Sequence, residues 1–447
     1  MKKRVFIFLL SVSLLFLCKI LIHVETTLPT WVSNIPPVPS TYISKDTPDN
    51  RNAIDPRNNG AKADGITDDG SAIQQAIDAC AQMGGGIVIL KNGTFLSSPL
   101  ILKSDVYLKI EPSAVLKALP YANYPKGNTL QLEDTADYPQ GDSPQPFITS
   151  EYARNFGIFG GGTIDGNGQD WWDAFEKTKG TAYPLSRTCL MYLFQSQNII
   201  IKDVTLRNSP EWTVLPKNCE NVIVSHVSIF NPPKAYNTDG INPSGSRNVY
   251  IDSCIIDTGD DNIAIKAHRA PTQNVYITNS TFYHGHGLSV GSETYKGVQN
   301  IYTFNCSFVN TDNAIRIKSA RDRGSVIKNL HYANITMTDV GTGILLTMYY
   351  PKIPEAGVDL PQPIMEFTPF FEDISIDGLT GTAKYAGVIV GLPESPVKNL
   401  VLRNIKITAA LNGLKVRNIE GIISNIDITA GFREGIIQEE NSTLIQR

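Results

Sequence analysis

The sequence predicts an all-β solenoid: a parallel β-helix closed at its N-terminal end by a short capping helix. Two observations carry this. Short β runs open on an Asn or Asp again and again, at Asn198, Asn221, Asn248, Asn274, Asn300, Asn329, Asp373 and Asn399. The intervals run from 23 to 29 residues, with one gap of 44. Two-residue alternation at such a period marks stacked coils. A second strand recurs in each coil: Ile241, Ile263, Leu288, Ile315 and Ile344 align as one inward column, followed two positions on by Ile265, Val290, Ile317 and Leu346. Leu does not recur at leucine-rich-repeat offsets. Asn at the turn tolerates the left-handed conformation and can stack in a ladder. Asp105, Asn155 and Glu420 are weaker members of the series.

Taken in order, the chain opens on a targeting segment. Lys2, Lys3 and Arg4 precede an apolar run from Val5 to Cys18, which reads as an export signal over residues 1–24, either a cleaved peptide or a retained anchor. Leu17 before Cys18 argues against a lipoprotein. Residues 25–50 hold Pro29, Pro36, Pro37 and Pro39 and read as an extended linker. Residues 51–447 form the β-helix domain. At its start Asp68-Asp69-Gly70-Ser71 caps a helix running through Ile73, Ile77 and Cys80 to Met83, and Gly84-Gly85-Gly86 stops it.

Composition narrows the function. With 447 residues, 18% of them charged, the chain is neither disordered nor a coiled coil. Its six cysteines exclude a disulfide scaffold. Cys254 and Cys306 fall in a column with Val204, Val227, Ser280 and Ile335. They sit two coils apart, about 9.6 Å at the ordinary strand spacing, beyond disulfide reach, and read as buried free thiols. The formal charge of −4, with no basic stripe, argues against non-specific nucleic-acid binding. Loss of residues 1–24 removes four positive charges and no acids, giving −8. An anionic substrate then needs a local basic site.

Such a site is present. Two positions before the inward column stand Asp239, Asp261, His286, Asn313 and Thr342. Three titratable groups therefore stack on successive coils, about 4.8 Å per rung. Asp260 adjoins Asp261, and Arg316 and Lys318 share the outward face of one strand. Carboxylates this close cannot all ionise comfortably, so one is expected to hold a proton and another to act as base. Two carboxylates across a cleft form the arrangement of glycoside hydrolysis. The basic pair would neutralise an acidic sugar. Each feature alone is ordinary: an Asp pair at a turn is usually solvated, and a His between glycines is usually a turn residue. Their convergence on one patch is what singles them out. No paired-Cys or H-E-x-x-H spacing points to a metal. Trp171, Trp172 and Trp212 could stack on sugars or simply pack. N-glycosylation sequons stand at Asn92, Asn279, Asn305, Asn334 and Asn441.

Asn237-Thr238-Asp239, Gly259-Asp260-Asp261, Gly285-His286-Gly287 and Arg316-Ile317-Lys318, in that order, resemble the polygalacturonases of glycoside hydrolase family 28. The likeness spans roughly residues 51 to 440 and includes the stretch Gly161-Gly162-Thr163-Ile164-Asp165-Gly166. It implies a single right-handed, pectin lyase-like parallel β-helix that hydrolyses α-1,4-linked galacturonan with inversion. By motif, Asp260 looks like the general acid, Asp239 and Asp261 like the carboxylates that activate water, and His286 like a group tuning the acid. Arg316 and Lys318 would bind the substrate carboxylate, and Asn237 would contact substrate. Tyr350, with Tyr349 beside it, resembles a subsite tyrosine. The resemblance implies no metal or cofactor. The substrate it implies is an acidic polysaccharide; from the N-terminal segment the protein is expected to be secreted, touching a membrane only if that segment stays uncleaved, and a monomer is expected, with cleavage inside the polymer slightly favoured over cleavage at its end. Inversion rests on the family, because one rung is shorter than the ~6.5–9.5 Å usual for inverting carboxylate pairs. Other pectic hydrolases such as rhamnogalacturonan hydrolases, a Ca²⁺-dependent pectate lyase, and a non-catalytic carbohydrate-binding solenoid are the competing readings.

Overall fold

The computed structural model describes residues 52–127, 144–182, 184–432 and 435–447. The expected signal segment, the Pro-rich linker and Cys18 lie outside the described residues. The chain folds as a right-handed parallel β-helix, the hand that parallel crossovers take. Every strand pairs in parallel with a strand of the adjoining coil. One sheet carries the site. Its inward column runs in unbroken register from Leu100 through Ile148, Met191, Val214, Ile241, Ile263, Leu288, Ile315 and Ile344 to Gly387, Leu414 and Ile436. These residues line one continuous apolar core along the helix axis.

The expected turn ladder is present. Asn155, Asn198, Asn221, Asn248, Asn274, Asn300 and Asn329 are all left-handed, with φ from 53 to 63. Each donates its side-chain amide to the group one coil before it, at 2.7–3.1 Å, beginning with Asn155 on Asp105. Asp373 cannot donate, so the chain of amides stops at Asn329. There His331 Nε2 meets the Asn329 Oδ1 at 2.8 Å. His331 stacks on Tyr302, and burial pushes its pKa down to about 4. Asn399 then donates to Asp373. Glu420 does not join: it sits inside an extended strand, paired with Thr443. A second ladder links Asn279, Asn305 and Asn334, three of the sequon residues, whose amides are spent on the neighbouring coil.

The cysteine column is as read. Cys254 and Cys306 are buried free thiols, and so are Cys80, Cys189 and Cys219. The capping helix, α1 (Gly70–Gln82), buries Ile73, Ile77 and Cys80 over the first coils. Its cap differs from the expectation. The Asp69 carboxylate is drawn away to the Lys62 and Ala63 amides, and Asp68 Oδ1 accepts from Gly70 N and Ser98 N instead. A second helix, α2 (Gln169–Thr178), was not foreseen. Its Trp171 is buried edge-on against Tyr121 and Tyr124, and Trp172 donates to the Ser209 carbonyl. Both tryptophans pack.

Asn274→Ala removes one donated and one accepted amide bond and strains a left-handed position, so it should cost about 2–4 kcal/mol of unfolding free energy. Asn274→Gly, which relieves only the strain, should recover about 1 kcal/mol of that loss. Chemical denaturation of the three proteins would measure both. Equal stability of wild type and Asn274→Ala would mean the ladder bonds are energetically idle.

Candidate active site

The four motifs converge because the coils stack in register. Asp239, Asp261, His286, Asn313 and Thr342 occupy successive rungs: Gly240 N–H donates to the Asp261 carbonyl, Asn262 N–H to that of Gly287, and Asn313 pairs with Thr342. Local chemistry fixes each turn. Thr238 Oγ1 donates to the Ala235 carbonyl and accepts from Gly259 N–H, tying the Asp239 turn to the Asp260 turn. Asn262, fully buried, donates to the Ile256 and Tyr283 carbonyls and accepts from Gly287 N–H, tying the Asp261 coil to the His286 coil. Gly285 and Gly287 have φ of 58 and 84, and a Cβ there would fall 2.4 Å from the Asp260 carbonyl oxygen and 2.0 Å from that of Asn313. Only glycine on both sides lets His286 approach the carboxylates.

The three carboxylates differ in environment. Asp261 is buried and accepts from Arg316 Nη1 at 2.9 Å, Lys318 Nζ at 2.8 Å and Ser289 Oγ at 2.6 Å. Burial works against its charge, but Lys318 and Arg316 outweigh it and hold its pKa down at about 2. Asp260 is partly open to solvent, with His286 Nδ1 3.0 Å from its Oδ1. Burial raises its pKa most, and the His286 hydrogen bond, the His286 charge and the Asp261 N–H together offset this, leaving it below the ordinary value. The same bond raises His286, whose Nε2 lies 3.3 Å from Asp312. Asp239 is pushed up to about 8, by burial first and then by Asp260. Asn242 donates to it at 3.0 Å. Crowding and burial thus favour the protonated form at Asp239 over its two neighbours.

The remaining expected residues are all at the site. Asn237 is exposed and left-handed, its Oδ1 held by Arg187 Nη2 at 2.7 Å. The Tyr350 ring lies 5.3 Å from Lys318 Nζ and 5.9 Å from the Arg316 guanidinium carbon. Tyr349 instead donates its hydroxyl to Asp359, so the two tyrosines separate cleanly: Tyr350 faces the basic pair and Tyr349 anchors the following loop. That loop is further held by Arg321 on Asp359 and by Arg417 on the Pro354 carbonyl.

Sequence reasoning missed four contributors. Lys266 stands in the column that leads, through Gly291, to Lys318. Burial disfavours its charge, but Asp239 and Glu293 outweigh that and raise its pKa. Its ammonium lies 4.9 Å from the Trp212 ring centroid, which puts Trp212 at the groove, one rung before Asp239. The pattern Ile263-Ala264-Ile265-Lys266, set beside Ile315-Arg316-Ile317-Lys318, was the available signal. Arg187, Ser289 and Asn262 lie in no recognisable motif, and only the fold brings them in.

Asp260, Asp261 and His286 place three potential ligand atoms within 4.8 Å of one another. The donor set does not suit a metal ion. Asp261 already faces two cations within 3 Å, and a third cation would be repelled by both.

Comparison with known proteins agrees with this geometry. The sequence model described as glycosyl hydrolases family 28 matches residues 115–427. The chain belongs to glycosyl hydrolase family 28. It is 33% identical over 356 residues to an endo-polygalacturonase of Pectobacterium carotovorum subsp. carotovorum, covering 76% of this chain and 84% of that one. The solved polygalacturonase from Erwinia carotovora ssp. carotovora superposes with a TM-score of 0.69 at 29% identity, covering 85% of this chain and 98% of the other. The family 28 exopolygalacturonase of Yersinia enterocolitica shares the fold, with a TM-score of 0.73 at 22% identity over 89% of this chain and 78% of the other.

Lys318→Met removes the nearer cation from Asp261, whose pKa should then rise from about 2. If Asp261 must be ionised to act, the acidic limb of kcat/KM moves to higher pH, and KM for an anionic substrate rises with it. An unshifted acidic limb would mean that Asp261 ionisation does not govern activity.

Proposed function

We propose that this family 28 hydrolase is a secreted polygalacturonase that hydrolyses α-1,4-galacturonosidic bonds with inversion, cutting within the polymer. The observation that carries this is the basic pair Arg316 and Lys318 set against Asp261, one coil from the Asp260–His286 pair. A neutral sugar would have no use for a buried lysine and a half-buried arginine there. The endo-polygalacturonase relatives at 33% and 32% identity favour the same substrate and mode of action. So does the column of groove residues, which continues on both sides of the catalytic coils, to Trp212 and to Tyr385. Export rests on the N-terminal segment. Among the described residues no helix is long and apolar enough to cross a membrane.

Asp260 is the carboxyl with access to the groove, so it delivers the proton to the glycosidic oxygen as the C–O bond breaks. In the free site that proton resides on His286, one hydrogen bond away, and Asp260 receives it when the bound substrate's negative charge raises the carboxylate's affinity. Water attacks the anomeric carbon from the opposite face and loses its proton to Asp261. The substrate carboxylate, competing for Arg316 and Lys318, loosens their hold on Asp261 and restores its basicity. Asp239 enters the cycle protonated and orients the water through hydrogen bonds, so the pair read as sharing the base role divides into a base and a positioning group. Asn237 and Tyr350 line the sugar's path.

De-esterified polygalacturonate incubated with the enzyme and EDTA should yield new reducing ends without the ultraviolet absorbance of unsaturated uronates, as a spread of oligomers. Unsaturated products would replace hydrolysis by elimination, monomer alone would replace internal by terminal cleavage, and no products would defeat the reading. Asp260→Asn should lower turnover by about 10³-fold with unchanged circular dichroism. In His286→Gln the proton reserve is gone, so the alkaline limb of kcat/KM should move to lower pH. An unmoved limb would show that His286 does not supply Asp260.

A further inference from the structure

We infer that the groove carries a distal uronate-binding site, built by Tyr385 and Lys415 about three coils beyond the catalytic residues. The inference rests on the polygalacturonase reading above. The column that holds Asp261, His286 and Asn313 continues through Thr342 to Tyr385, and Asn412 follows one coil on, its carbonyl accepting from Ala386 N–H. The outward column that holds Arg316 continues through Leu345 and Val388 to Lys415. Tyr385 is therefore three rungs from His286, and Lys415 three rungs from Arg316, each about 14 Å along the axis at the ordinary strand spacing.

These residues surround a hollow of about 300 Å³ lined by Thr342, Leu345, Tyr385, Val388, Asn412 and Lys415. That volume is at the lower end of the range for small-ligand sites. Its chemistry suits a charged sugar. Leu345 and Val388 are outward-facing yet apolar, giving a dry floor beside a half-buried tyrosine ring. A pyranose presents a C–H face to such a surface and hydroxyls at its rim, where Asn412 and Thr342 stand. Lys415 Nζ is 3.7 Å from Glu439 Oε1, longer than a charge-assisted hydrogen bond. Arg417 Nε lies 3.6 Å from the other oxygen of Glu439, and an ammonium has three donors, so Lys415 keeps capacity for a uronate carboxylate. Lys384, 5.5 Å from the Tyr385 ring centroid, adds to the positive field. A polymer cut at Asp260 that follows the axis of the groove passes over this hollow. A trimer held across the catalytic coils does not reach it.

The test compares de-esterified polygalacturonate with trigalacturonate for wild type, Lys415→Met, Tyr385→Ala and Tyr385→Phe, each as the full chain, with folding checked by thermal denaturation. Wild-type turnover of polygalacturonate is the control for the function itself; without it the function, and not the distal site, has failed. In Lys415→Met and Tyr385→Ala the ratio of kcat/KM on polymer to that on trimer should fall about five-fold, through KM, while Tyr385→Phe keeps the wild-type ratio. An unchanged ratio in both variants, from equal losses on the two substrates or from none, would overturn the site. A Tyr385→Phe ratio as low as that of Tyr385→Ala would overturn the stacking role.

Discussion

Everything at this site depends on the register between coils. A β-helix has no tertiary fold apart from the stacking of one turn on the next, so a slip of one residue would turn every inward side chain out. The Asn ladder is the device that forbids it. From Asn155 to Asn300 each amide both donates and accepts along the axis, and each residue sits at a φ that other L-residues rarely adopt. The ladder pins where each coil begins. The distance from the ladder to the site strand is then short enough that Asp239, Asp261 and His286 fall on consecutive rungs.

Stacking carboxylates on consecutive rungs is electrostatically costly, and the fold meets the cost unequally. Asp261 is buried deepest among cations and stays ionised. Asp260 keeps its charge against His286. At Asp239 the pull of Lys266, shared with Glu293, and of Lys318 is outweighed by burial and Asp260, which favours its protonated form. Three carboxyls of one chemical type thus acquire three protonation behaviours from neighbours one coil away. The neighbours are held by buried polar groups: Thr238, Asn262, Ser289 and Arg187. Thr238, Asn262 and Ser289 bond to backbone or to Asp261, and Arg187 to the Pro210 and Tyr236 carbonyls, Glu211 and Asn237, which holds the cluster rigid over the apolar core.

Much of this was legible in the sequence because the fold is nearly one-dimensional. A period and a column are enough to place Asp239, Asp261 and His286 above one another and Arg316 beside Lys318. What escaped depends on the path of the turns. Arg187 reaches Asn237 across 50 residues of chain from a loop with no periodic pattern. Asn262 looks like a strand residue next to a motif, and only the turn geometry shows it bridging two coils. Lys266 was within reach, since the register that located Lys318 also locates it two coils earlier. Asp69 shows the opposite failure: a sound capping pattern lost to two loop amides that bind its carboxylate more tightly.

The basic pair joins binding to catalysis through charge. In the free enzyme Arg316 and Lys318 are not idle cations awaiting a substrate; both are already committed to Asp261. A uronate entering the site must share them, and whatever hold it takes is hold that Asp261 loses. On the proposed roles, substrate binding and base activation become one event. A neutral sugar could fill the same space but would leave Asp261 held near its low pKa and a poor proton acceptor. Discrimination between charged and uncharged polymers would on this argument appear in kcat as well as in KM, because the carboxylate of the substrate completes the charge balance that the chemistry needs.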